Sequence, residues 1–257
     1  MLIDARFLST TLETALIIED DIDFSLHLLP QATLASRALR TLLDLSAPSD
    51  LSTATKNADP NFWAPTSTWE ILWLGHCSDD APLQHILEYP SVTYPDPHLP
   101  PFDSITSPTS DLMRAFNLTD SRLVYKSYWP LCTFAYAVTR ASAARILATY
   151  GTEGERGCVA YDVRMLEACR DHGWKCWTVA PELFHHVAGR SEIANINDGQ
   201  FGSGELVGGQ EGVRREKTVN IECGARDEWL WVERNDTEGR RLMMQKVREG
   251  SRDGGCF

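Results

Sequence analysis

The sequence predicts an α/β fold, on three observations. Apolar runs of strand length recur at residues 14–19, 69–74, 132–138 and 174–179. The segments between several of them place apolar residues at helical spacing. Gly and Pro punctuate the boundaries, as at Gly75, Gly151, Gly173 and Pro181. Strands that alternate with helices around one core define the α/β class.

In chain order, residues 4–13 read as a short helix and residues 14–19 as a buried strand. From Leu34 the apolar residues fall at 34, 38, 39, 42 and 43, one helical stripe, with Pro30 near its start. Residues 47–68 are rich in Ser, Thr, Asn, Asp and Pro and read as loop. Trp69 to Leu74 is a second strand, stopped by Gly75. Residues 82–108 hold seven of the thirteen prolines and read as a long irregular loop. Residues 122–128 read as an edge strand and Cys132 to Val138 as a third core strand. Thr139 is a good N-cap for the helix that follows, which ends before Gly151. Asp162 is the expected cap of a helix carrying Val163, Leu166 and Cys169 on one face and ending at Gly173. Trp174 to Val179 is the fourth strand. Six glycines in the fifteen residues 198–212 read as a linker, followed by a charged tail with one strand at Trp229 to Val232.

Composition narrows the function. The chain has 257 residues, 43% hydrophobic, enough for one sizeable domain with an appendage. Its formal charge of −12 argues against non-specific binding to nucleic acid or anionic membranes. No apolar stretch reaches the roughly 20 residues of a membrane span. Residues 1–14 do not form a signal peptide, because Asp4 and Arg6 interrupt them and no small-residue cleavage site follows. The seven cysteines are odd in number and include no CxxC, which argues against a zinc knuckle and for free thiols in a reducing compartment. Two Asn-x-Thr sequons stand at Asn117 and Asn235 and weakly favour a lumenal context.

The chemistry concentrates after the first strand. Ala15-Leu-Ile-Ile18 runs into Glu19, Asp20, Asp21 and Asp23, four carboxylates in five positions. Packed carboxylates repel one another and resist desolvation, so they need a counter-charge. A hard divalent cation carrying a phosphate supplies one. Glu19-x-Asp21 and Asp21-x-Asp23 are acid-x-acid pairs, and alternate residues of a strand end share a side. The competing reading is a solvated turn. His185-His186 lies just past the last strand, where one imidazole can ligate a metal; a surface or packed histidine is the alternative. Asp162 is either a helix cap or a general base at a helix N-terminus, where the dipole favours negative charge. Trp69, Trp73 and Trp129 read as core; the alternative for Trp129, with Tyr128 and next to Pro130, is a loop whose aromatic faces suit a sugar or peptide acceptor.

Residues 15–24, Ala-Leu-Ile-Ile-Glu-Asp-Asp-Ile-Asp-Phe, resemble the signature strand of glycosyltransferase family 25. That family includes the lipooligosaccharide and procollagen galactosyltransferases. Three later blocks resemble its fungal members in order and spacing. They are Trp69 to Cys77; Cys132 to Leu147; and Tyr161 to Leu166 with Pro181 to His186, closing at Ser191-Glu-Ile. The resemblance covers roughly residues 1–195.

The resemblance implies a GT-A-like mixed sheet flanked by helices, in a catalytic domain over residues 1–197. Residues 198–257 are left as linker and tail. It implies transfer of a hexose, typically galactose, from a UDP-sugar to a hydroxyl of a glycan or protein, with inversion. A divalent cation, Mn2+ or Mg2+, is the implied cofactor. Carried onto this chain, Asp21, Asp23 and His186 are expected to hold the metal. Glu19, Asp20, His76, Trp129 and Tyr136 are expected to line the donor or acceptor, and Asp162 is the expected base. Family members begin many tens of residues before the acidic strand, so the nucleotide site is expected to be incomplete at the N-terminus. A leader in such an upstream portion would admit the secretory lumen. The rival readings are a non-catalytic remnant that binds a partner or glycan, and a metal-dependent phosphatase. The phosphatase lacks a nucleophile set near the acidic cluster.

Overall fold

The computed structural model describes residues 6–45, 61–77, 79, 88–151, 160–187, 218–227, 230, 232–233 and 235–253. Residues 47–60 of the expected 47–68 loop, the Gly-rich linker and Ser191-Glu-Ile lie outside them, as do Trp229 and Trp231 of the expected tail strand. Leu230 and Val232, which are described, are not in a strand.

The α/β expectation holds. Among the described residues the named strands and α-helices follow in the order β1 (Thr14–Ile18), β2 (Ile22–Phe24), α1 (Leu28–Leu42), β3 (Ile71–Gly75), β4 (Ser91–Pro95), α2 (Thr109–Ala115), β5 (Ser121–Lys126), β6 (Ala135–Thr139), α3 (Arg140–Tyr150), α4 (Tyr161–Asp171), β7 (Cys176–Ala180), β8 (Phe184–His186) and α5 (Thr237–Asp253). Six strands form a mixed sheet in the order β1-β6-β3-β7-β5-β4, and β2 pairs with β8 in a separate ribbon. β3 and β7 are parallel, and β6 runs antiparallel to both β1 and β3. The carboxyl ends of β1, β3 and β7 therefore lie together, the edge at which open α/β sheets bind ligands.

Alternation along the strands builds a core on each face. Leu72 and Leu74 of β3 join Ala135, Ala137, Val124 and Val179 under Ala35, Ala38 and Leu39 of α1. Ile71 and Trp73 face the other way, with Tyr136, Val138 and Ile17, against Ala143 and Ile146 of α3 and Met165 and Cys169 of α4. α2 closes the rest of that face with Leu112 and Met113 against Leu123 and Tyr125. Beside α1, an apolar cavity of about 470 Å³ is lined by Leu16, Phe24, Leu28, Leu74 and Phe184 among others.

Several local expectations need correction. β5 is not an edge strand, because β4 lies outside it. β4 and α2 both fall within or beside the stretch read as irregular. Pro95 ends β4 on the sheet edge, where a missing N–H is tolerated. Thr139 caps α3 as expected, in a capping box whose Ser142 hydroxyl takes the Thr139 N–H at 2.9 Å. Asp162 is not the cap of α4: Ala160 holds that position, and Asp162 lies inside the first turn.

The cysteines are corrected too. Cys77 pairs with Cys132 and Cys169 with Cys176, and Cys223 is also disulfide-bonded. Sequence separation hid the first pair, 55 residues apart. Register explains it: Gly75 of β3 stands opposite Ala135 of β6, and the Cys77 N–H donates to Leu131 O at 2.9 Å just beyond.

Candidate active site at the carboxyl ends of β1 and β7

After β1 the chain turns through Glu19 and Asp20, both exposed, and enters β2 at Ile22. β8 returns beside β2, with Ile22 opposite His186, Asp23 opposite His185 and Phe24 opposite Phe184. This ribbon brings the acidic turn to the histidine pair across 165 residues of sequence. Asp21 Oδ2 lies 3.0 Å from His186 Nε2. Burial lowers the His186 pKa, while the Glu19 charge pulls it the other way. The neutral form of this imidazole is therefore favoured near pH 7, with its Nε2 proton directed at Asp21.

A three-residue wall ties these groups to Asp162. The Cys132 N–H donates to Asp162 Oδ2 at 3.3 Å. The Thr133 hydroxyl donates to Glu19 Oε1 at 3.0 Å. Phe134 O accepts the Glu19 N–H at 2.9 Å, and the Phe134 ring stacks on His186 with centroids 5.2 Å apart. Three consecutive residues span at most about 7.6 Å between their Cα atoms. Asp162, Glu19 and the Asp21–His186 pair thus share one short wall. The Cys77–Cys132 disulfide fixes that wall to the end of β3.

Behind it lies a buried polar cluster that sequence reasoning missed. Glu182, 1% exposed, contacts His185 Nδ1 through Oε1 and accepts the Thr109 hydroxyl at 3.1 Å through Oε2. Burial alone would raise this carboxyl, but the His185 hydrogen bond and the charges of His185 and His76 outweigh it and bring it down to about 2. Arg122 holds the same segment: its guanidinium donates to Pro181 O and Glu182 O, and pairs at 2.5 Å with the buried Asp96. The available signal was the three-residue Glu182-to-His185 spacing, the pattern by which a carboxylate orients an imidazole.

The remaining expected residues make other contacts. Asp23 is fully buried beneath residues 218–227. Its Oδ1 accepts the Phe24 N–H at 2.8 Å and the Arg226 N–H at 3.1 Å, and Gly224 is packed so closely on Oδ2 that no Cβ would fit. Burial raises the Asp23 carboxyl, against those two N–H groups and the Arg226 charge. Asp20 is exposed, and its carbonyl oxygen accepts a hydrogen bond from the Arg226 guanidinium at 2.6 Å. His76 is 1% exposed, with Nε2 3.0 Å from Val179 O. Tyr136 is in the core, its hydroxyl 3.3 Å from that of Tyr161. Trp129 is covered by the Arg170 guanidinium, 4.2 Å from the ring centroid. Arg170 lies near the opposite end of α4 from Asp162. Contacts along the wall join Glu19, His186 and Asp162, with Asp21 paired to His186, whereas the contacts above hold Asp23 under its strap, His76 on Val179 and Trp129 under Arg170, and tie Tyr136 to Tyr161, the neighbour of Asp162.

Asp21 Oδ2 and His186 Nε2, 3.0 Å apart, are joined by a hydrogen bond in which Nε2 carries the proton; a cation held by these two atoms would take that proton's place. Among the described residues, no three His, Cys, Asp or Glu side chains converge as a metal cluster. The remaining positions would fall to water and phosphate, the habit of Mg2+ at nucleotide sites. The apolar cavity beside α1 has no carboxylate or imidazole among its lining residues and does not suit a diphosphate. Among the described residues, no helix is long and apolar enough to cross a membrane. The chain matches no model of a known protein family, no curated protein and no solved structure.

Proposed function

We propose that the chain is a glycosyltransferase domain. It would take a hexose, galactose by preference, from a UDP-sugar and transfer it with inversion to a hydroxyl of a glycan or protein. The supporting observation is the Cys132–Phe134 wall, whose successive residues touch Asp162, Glu19 and His186. A nucleotide-sugar transferase needs a general base and a diphosphate site in one cleft, and the two ends of this wall carry candidates for them.

Asp21 and His186 would hold a divalent cation, Mn2+ or Mg2+, that offsets the negative charge of the leaving diphosphate. Glu182, through His185, fixes the adjacent strand β8 and with it the position of His186. Asp162 accepts the proton of the acceptor hydroxyl. The acceptor oxygen then bonds to the anomeric carbon as the bond from that carbon to the diphosphate breaks on the opposite face. The Cys132 N–H holds the Asp162 carboxylate towards the wall, so the base is positioned before substrate arrives.

Incubation with UDP-galactose, Mn2+ and sugar or hydroxylysine acceptors should release UDP. No release with any UDP-hexose, cation or acceptor tried would contradict the proposal. A second reading, a module that binds the nucleotide without transferring sugar, is favoured by the absence of a cluster of three metal-ligating side chains among the described residues. It predicts UDP binding with no turnover.

A further inference from the structure

Five of the seven cysteines lie in described residues, and all five are disulfide-bonded. Such bonds form and persist in oxidising compartments and are rare in the cytosol. The secretory lumen is such a compartment, and it is also where Asn-x-Ser/Thr sequons receive glycans. The fold shows that both sequons of this chain are placed to carry them.

Asn117 follows α2 in a left-handed conformation, φ 53°, with its N–H bonded to Arg114 O at 3.1 Å. Leu118 turns inward, 4% exposed, and anchors the segment against the cluster that contains Met113 and Leu123. Asn117 and Thr119 stay exposed on either side of it, and among the described residues nothing hydrogen-bonds the Asn117 carboxamide. Asn235 and Thr237 are exposed likewise, in the turn that opens α5, where Asp236 Oδ1 accepts the Gly239 N–H at 2.8 Å. Among the described residues neither acceptor amide is used in a hydrogen bond, and both asparagines are exposed, so a bulky substituent at either has solvent to extend into. Neither sequon lies among the candidate active-site residues.

We propose that Asn117 and Asn235 carry N-linked glycans, added in the same oxidising lumen in which the disulfides form. The co-reactant is a lipid-diphosphate-linked oligosaccharide. The asparagine Nδ2 forms a bond to the anomeric carbon, the bond from that carbon to the diphosphate breaks, and the amide proton leaves to a base. Each disulfide forms as two thiols pass two electrons and two protons to a disulfide-bearing oxidant. This inference does not depend on the chain's own activity.

The test uses protein purified from its source with free thiols blocked at lysis. Non-reduced peptides are treated with peptide-N-glycosidase in heavy-oxygen water and read by mass spectrometry. Asn117 and Asn235 are expected as aspartates carrying the heavy label, and Cys77 and Cys132 as one cross-linked pair. Thr119→Ala should abolish the label at Asn117 and leave that at Asn235, and Asn235→Gln should do the reverse on the other sequon. Both asparagines recovered unmodified, or Cys77 and Cys132 recovered alkylated, would overturn the proposal.

Discussion

Replacing Glu182 with Gln removes one charge from the buried cluster and keeps its volume. The Glu182 carboxyl sits at about 2 in the folded chain against an ordinary 4.5. Each unit is about 1.4 kcal/mol, so the ionised group contributes about 3 kcal/mol at neutral pH. The folded value is the lower one. The contribution is therefore complete above the unfolded value and is lost as pH falls towards the folded one. Linkage puts about 2 of those 3 kcal/mol already gone at pH 3. The assay is urea unfolding of parent and variant from pH 7 to pH 3, read as the difference in unfolding free energy. Other carboxylates titrate in both proteins and cancel in that difference. The expected difference is about 3 kcal/mol at pH 7 and about 1 kcal/mol at pH 3. A difference that does not change with pH would refute the reasoning, because Glu182 would then act only through packing.

Four further outcomes follow from contacts elsewhere in the fold. Replacing Cys77 and Cys132 together with Ser should cost about 4 kcal/mol for closure across 55 residues. The Cys169–Cys176 pair, 7 apart, should cost about 2 kcal/mol, both measured by urea unfolding without reductant. Arg122→Met strands the buried Asp96 and should cost about 3–5 kcal/mol in the same assay, with Asp96→Asn in that background recovering part of it. Asp162→Asn should lower UDP release about a hundredfold to ten-thousandfold while leaving UDP affinity unchanged by calorimetry.

What was legible in the sequence was what depends on near neighbours. Period and punctuation located β1, β3, β6 and β7 and the helices α1, α3 and α4, because each buries a stripe set by local spacing. The capping box at Thr139 is likewise a four-residue signal. The parts that were not legible depend on pairing across the chain. β5 looked like an edge because its outer partner, β4, sits among prolines. The Cys77–Cys132 bond follows from sheet register rather than from spacing. Asp21 and Asp23 looked equivalent by alternation. Residues 218–227 separate them, because the Arg226 N–H and Gly224 close over Asp23, and no local pattern announces that strap. Those residues lie beyond the boundary at 197 drawn from the Gly-rich run.

The central claim is that Asp21 and His186 together hold the cation of a nucleotide-diphosphate site. Calorimetry of UDP in the presence of Mn2+ tests it directly on the parent, Asp21→Ala, His186→Ala and Asp23→Ala. Asp21→Ala and His186→Ala should each weaken UDP–Mn2+ binding by at least about tenfold, 1.4 kcal/mol, while each variant still unfolds cooperatively. Asp23→Ala should change stability and leave the affinity of the folded protein as it was. Parent-like affinity in both Asp21→Ala and His186→Ala would contradict the account.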